Sequence, residues 1–121
     1  MPVFARVRDG VLVLTEDGDY TANELRRVGF SAFEAESTPQ RVPVLLDLSG
    51  AAGLAKKSAS DVAPSGAIFG AYRDRLVGLA VVAAANVHHL FDDKSDFASL
   101  AGVRVFTCQS HTDARAWLSK G

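Results

Sequence analysis

Val42-Pro43-Val44-Leu45-Leu46-Asp47-Leu48-Ser49-Gly50 is a near-continuous apolar run that stops abruptly in a small polar cluster. A strand with one wet face alternates, so a run that is apolar on both faces belongs to a central strand covered on two sides. Leu79 to Ala85 reads the same way. Two such strands require helices as cover, and the segments between and around them supply the pattern.

Upstream, Val3, Ala5 and Val7 alternate with Phe4, Arg6 and Arg8 before Asp9-Gly10 and a second apolar run, Val11 to Leu14. Asp-Gly supplies the positive φ angles of a tight type I′ turn, which predicts an antiparallel hairpin. One of its strands is an edge, and the arginines keep that edge soluble. Thr21 stands three residues before Glu24, the spacing of a capping box, with Tyr20 and Leu25 at the staple positions. A helix follows, burying Leu25, Val28, Gly29, Ala32 and Phe33 and ending near Glu36, where Ser37-Thr38-Pro39 stops it.

Gly50 to Ser60 reads as a flexible stretch, and a second helix is expected to begin near Pro64 with Ile68, Phe69, Tyr72 and Leu76 on its buried side. Gly66 and Gly70 lie one turn apart and would let that helix approach the sheet. After the strand at Leu79 to Ala85, Asn86 caps a third pattern carrying Val87, Leu90, Phe91, Phe97 and Leu100, with a break near Ser95-Asp96. Val103 to Thr107 is the last strand. Ser110 and Asp113 then cap a terminal helix that buries Ala114, Trp117 and Leu118. The order ββαβαβαβα predicts an α/β fold: a mixed sheet of about five strands, mainly parallel after the hairpin, with about four helices.

Composition narrows the function classes. The 121 residues suit one domain, with 48% apolar and 22% charged side chains in the globular range. Thirteen basic against fourteen acidic residues leave a net charge of -1, which removes the broad attraction that nucleic acids and anionic membranes exploit. No nucleic-acid partner is expected. Cys108 stands alone, so it forms no internal disulfide and anchors no cysteine-rich zinc site, as suits a reducing cytoplasm. No signal peptide and no apolar run of membrane-spanning length are seen, and the protein reads as soluble and cytoplasmic.

Ligands of helix-covered sheets gather at the carboxyl ends of the strands. Here those ends are Thr15-Glu16-Asp17, Asp47-Leu48-Ser49-Gly50, Ala84-Ala85-Asn86 and Thr107-Cys108-Gln109. Glu16-Asp17 and Asp47 are acids that a phospho-acceptor receiver domain would cluster around magnesium. The lysine and hydroxyl that complete such a site are missing, and Asp47 is expected to hydrogen-bond the loop after it. His88 and His89 each precede an aspartate, Asp92 and Asp93, by four residues. Adjacent histidines point about 100° apart on a helix and do not share one ion, so solvated side chains are expected and no metal is assigned. His111 falls in the first turn of the last helix, with no triad readable from spacing.

The element order, the Asp47-Leu48-Ser49-Gly50 turn, and Val103-Arg104-Val105-Phe106 followed by Ala114-Arg115-Ala116-Trp117-Leu118 resemble the SpoIIAA-like group. That group includes the STAS domains of sulphate transporters and anti-sigma factor antagonists, and its bacterial members are discussed alongside CRAL-TRIO lipid-binding domains. The resemblance spans most of the chain. It implies a regulatory or binding domain without catalytic chemistry or cofactor, docking on a protein partner and switched by serine phosphorylation. The antagonists' Asp-Ser-Ser-Gly turn is absent; this chain offers Lys56-Lys57-Ser58-Ala59-Ser60-Asp61 and Ala63-Pro64-Ser65-Gly66 instead. The candidate interaction rim is therefore Asp47, Ser49, Gly50, Lys56, Lys57, Ser58 and Ser60, with Ser58, Ser60 and Ser65 as phosphorylation candidates.

A small apolar ligand, such as a lipid, held between helices and sheet is the alternative, for which the many aromatic residues would line a pocket. Phe30 lies off the main stripe of the first helix and would mark a contact surface, including one for a homodimer. An enzyme is the least supported class, because no nucleophile motif, phosphate loop or dinucleotide fingerprint is present.

Overall fold

The computed structural model describes residues 3–92 and 94–120. Strands β1 (Val3–Arg8) and β2 (Val11–Gly18) form the expected hairpin, and Asp9 and Gly10 take positive φ angles of 53° and 79° in its turn. Strands β3 (Val42–Ala51), β4 (Leu76–Val82) and β5 (Val105–Cys108) then add in parallel. The sheet runs β1-β2-β3-β4-β5, so sequence neighbours are always spatial neighbours. The α/β mixed sheet of five strands is as the pattern predicts. Strand limits differ: β2 and β3 run further than their apolar cores, β4 starts and stops three residues early, and β5 spans residues 105–108.

Because every parallel step goes the same way, right-handed crossovers place their helices on one face. Helices α1 (Ala22–Glu34), α2 (Ala59–Val62), α3 (Ala67–Ala71) and α4 (Asp96–Ala101) take that face, while α5 (His111–Ser119) alone covers the other. Leu12 and Leu14 of β2 and Val44, Leu46 and Leu48 of β3 point into the larger core with Leu25, Phe33, Phe69 and Phe97. Val11, Val13, Leu45 and Ala80 point to the smaller one beneath Ala114 and Leu118. Among the described residues no helix is long and apolar enough to cross a membrane.

Helix α1 carries the predicted capping box, with the Thr21 hydroxyl accepting from the Glu24 amide and the Glu24 carboxylate accepting from the Thr21 amide, both at 3.1 Å. It ends at Glu34, two residues early, because the Thr38 hydroxyl turns back to the Ala32 carbonyl. Pro43 is unusual in an inner strand, where a missing amide breaks the ladder. The register between β3 and β4 shifts at that residue.

Several expectations are corrected here. The second helix does not begin near Pro64: Ser58 and Asp61 form a capping box that starts α2 at Ala59, and Pro64 lies in a 3-10 turn, residues 63–66, joining α2 to α3. Leu76 belongs to β4, not to the helix. Gly66 and Gly70 face α4 rather than the sheet, pressed against the carbonyls of Phe97 and Leu100. Residues 85–90 are 3-10 helix without an Asn86 side-chain cap, and Ser95 caps the separate α4 at the predicted break. Leu100, expected in the core, is exposed, and Trp117 is half-buried, stacked on Phe106 with centroids 5.2 Å apart.

Candidate functional site

The apolar run of β3 ends where the sheet meets solvent, and its last inward polar residue is braced from both sides. Asp47 Oδ1 accepts the Ser49 amide at 2.9 Å and the Ser49 hydroxyl at 2.6 Å. Its Oδ2 accepts from His111 Nε2 at 2.7 Å. Burial alone would raise the Asp47 pKa, but the Ser49 hydroxyl, His111 and the Ser49 amide together outweigh it and hold the carboxyl below its usual range. Asp47 thus bonds the turn after it, as its position predicted. His111 is the partner that linear reading missed, since 64 residues separate the two.

The brace has a chemical consequence. The carboxylate stands between the serine and the histidine, whereas a hydrolytic relay needs the imidazole in the middle, facing the hydroxyl. Ser49 Oγ donates to Asp47 and is not activated by His111. Removing either bond, by Ser49→Ala or by His111→Ala, should raise the Asp47 pKa. Carboxyl-carbon NMR titration checks this, and an unmoved midpoint in both variants would show that the brace is absent.

Beside Asp47 lies a recess of about 350 Å³ lined by Leu48, Ser49, Leu54, Lys56, Asn86 and Val87. Of its lining, Ser49 and Lys56 are exposed, as is Gly50 next in sequence. Gly50 cannot carry a side chain, since a Cβ there would lie 2.6 Å from Asp17 Oδ1. The segment read as flexible is ordered: residues 54–56 form a 3-10 turn, and Lys57 Nζ sits 4.8 Å from the centre of the Tyr20 ring. Ser58 then caps α2, its amide donating to Asp61 Oδ2 at 2.8 Å and its hydroxyl lying 2.9 Å from that of Ser60.

Rim residues Ser49, Gly50, Lys56, Ser58 and Ser60 are each exposed, and Lys57 is half-buried. Ser65 is not among them. It is buried beside Tyr20, so it is no surface acceptor for phosphate. A cap of the Ser58 kind contributes about 1 kcal/mol. Ser58→Ala should lower stability by that amount, read as a shift in the urea midpoint, while Ser60→Ala leaves the midpoint unchanged.

Glu16 was read as a rim acid. It is instead fully buried, at 0% exposure, with neither carboxylate oxygen partnered among the described residues. The period of two explains why: Leu12, Leu14 and Glu16 share the face that looks into the larger core. Burial pushes its pKa up to about 8, against the pull of Lys57 and with a further push from Glu24. Glu16 and Asp47 therefore do not form a shared acid cluster, and no three metal-ligating side chains converge among the described residues.

His88 is likewise not solvated. Its Nε2 lies 2.8 Å from the Ala83 carbonyl and 3.2 Å from that of Cys108, tying the 3-10 turn to the ends of β4 and β5. His89 is exposed, and its expected pairing with Asp93 lies outside the described residues. Cys108 is buried, and burial raises its thiol pKa, the opposite of an activated nucleophile.

No family model matches this sequence, and no curated protein matches it. Among solved structures, the chain is similar to an uncharacterized protein of the DUF3478 family with a SpoIIAA-like fold from Shewanella loihica PV-4. The two are 13% identical, with a TM-score of 0.60 over 96% of this chain and 91% of that one. At that identity the likeness establishes the fold: this chain has a SpoIIAA-like fold.

Proposed function

We propose that this SpoIIAA-like chain is a binding domain, without catalytic chemistry, that docks a protein partner on the rim formed by Ser49, Gly50, Lys56, Lys57, Ser58 and Ser60. The observation that carries the reading is the strand order. A sheet that binds nucleotides or substrates in a crevice does so where the strand order reverses and neighbouring loops splay apart. Here the order never reverses, so the rim is a ledge with a shallow recess rather than a cleft. Exposed hydroxyls beside Lys56, held by the Ser58–Asp61 cap and the Asp47 brace, suit a surface contact. A phosphate on Ser60 would add about -1.5 to -2 charges to it.

A second reading is favoured by one feature. Phe30 is 57% exposed and, with Ile68, Ala71 and Tyr72, lines a groove of about 590 Å³ between α1 and α3, within the volume range of small-ligand sites. That groove suits an apolar ligand.

Native mass spectrometry of the protein purified from its own host separates the readings. A bound protein chain that is lost in a Lys56→Glu variant supports the rim, and a retained small apolar mass that is lost in Phe30→Glu supports the groove. Turnover in a broad hydrolase screen, with neither mass retained, overturns both.

A further inference from the structure

Strand β1 is the free edge of the sheet, and among the described residues no strand pairs with its outer side. Of the four large apolar side chains exposed among the described residues, two belong to this six-residue strand: Phe4 at 52% and Val7 at 36%. An unprotected edge that also carries apolar surface is a template for another strand. The sequence of the edge specifies which one.

We infer that β1 pairs with the β1 of a second copy of this chain, antiparallel and centred on Ala5, to make a homodimer with one continuous ten-stranded sheet. Pairing about a two-fold axis normal to the sheet keeps every side chain on its own face, so odd positions meet odd and even meet even. Centred on Ala5, Val3 faces the second copy's Val7, Ala5 faces its own equivalent, and Phe4 faces Arg6. The odd face is then wholly apolar. It opens on a groove of about 510 Å³ between β1 and α1, lined by Val3, Ala5, Val7, Leu12 and Val28 with Arg6 and Arg27 among its polar members.

On the even face each Arg6 lies against a Phe4 ring, a favourable cation–π arrangement. The competing registers fail on chemistry or length. Centring on Arg6 sets two guanidinium groups opposite each other, which is repulsive, and centring on Phe4 pairs, among the described residues, only 3 to 5. The other edge, β5, has four residues and carries none of the large exposed apolar side chains. The arginines that blunt the edge toward unrelated strands are, in this one register, matched to phenylalanine. They act as selectors of partner.

Sedimentation equilibrium of the whole chain, from low micromolar to near-millimolar concentration, tests the inference without reference to the rim. A reversible monomer–dimer equilibrium that tightens with added salt is expected, because salt screens the arginines brought together. Phe4→Arg should weaken it about tenfold, since the altered pair occurs twice by symmetry. Under mild oxidation Ala5→Cys should give a covalent dimer, whereas Val7→Cys, which carries the same buried Cys108, should not. All three positions are exposed, and circular dichroism melts verify that the variants fold. A monomer at every concentration, or a dimer indifferent to Phe4→Arg and uncrosslinked through position 5, overturns the pairing. Lys56→Glu should leave the association unchanged, so this inference and the rim reading fail separately.

Discussion

Replacing Glu16 by glutamine is expected to raise stability by about 3–5 kcal/mol at pH 9 and by little at pH 4, flattening the dependence of stability on pH. The sign follows from the proton. In the folded chain Glu16 is buried near Tyr20 and Lys57 with neither carboxylate oxygen partnered among the described residues, and burial lifts its pKa from the ordinary 4.5 to about 8. The folded state therefore holds the Glu16 proton more tightly than the unfolded state does. The Glu16 contribution to stability is greatest below the ordinary carboxylate range, falls as pH rises from about 4.5 to about 8, and levels off above.

Glutamine keeps the shape of the protonated acid and removes the ionisation. Urea unfolding at a series of pH values reads the effect directly. Lys57→Met should carry the fall in stability to higher pH and enlarge the total loss, because Lys57 is the group that pulls the Glu16 pKa down. A Gln variant whose slope matches the wild type between pH 5 and pH 8 would show that Glu16 is hydrated or paired in solution.

Gly70→Ala should cost about 3 kcal/mol or more. On helix propensity alone, alanine would gain about 1 kcal/mol over glycine. Packing reverses the sign. A Cβ at residue 70 would fall far inside contact distance of the Leu100 carbonyl oxygen, and one at residue 66 would strike the Phe97 carbonyl. Those are backbone atoms of α4, so no rotamer change relieves the clash. The helix must move, and Phe97, fully buried with its ring edge-on to Phe69 and Phe91, must move with it. Guanidinium denaturation of Gly70→Ala and Gly66→Ala measures the loss, and a neutral or stabilised Gly70→Ala variant would show that α3 and α4 do not meet backbone to backbone.

The architecture was legible because its signals are local. Asp9-Gly10 names its own turn, Thr21 and Glu24 name the start of α1, and the apolar runs of β3 and β4 declare burial on two sides without reference to the rest of the chain. The second helix was misplaced for a local reason too: Pro64 is a familiar helix opener, and the Ser58–Asp61 capping box ahead of it was passed over in a segment with two glycines. The site was less legible because its contacts are not local. Asp47 and His111 are joined by the route of the chain across the sheet, which no spacing encodes. The inward turn of Glu16 could have been read from its alternation with Leu12 and Leu14, but the acidic pair Glu16-Asp17 pointed instead to a solvent-facing cluster.

The unreversed strand order also sets a direction for construction during synthesis. Each strand, once made, attaches to the one made just before it, so the chain leaving the ribosome can grow its sheet by addition at one border. No later segment has to be threaded between two that are already joined, and each closing step spans one crossover, which keeps the entropic cost of that step modest. The β1-β2 hairpin can serve as the seed, with α5 following the completed sheet to seal its thinner side.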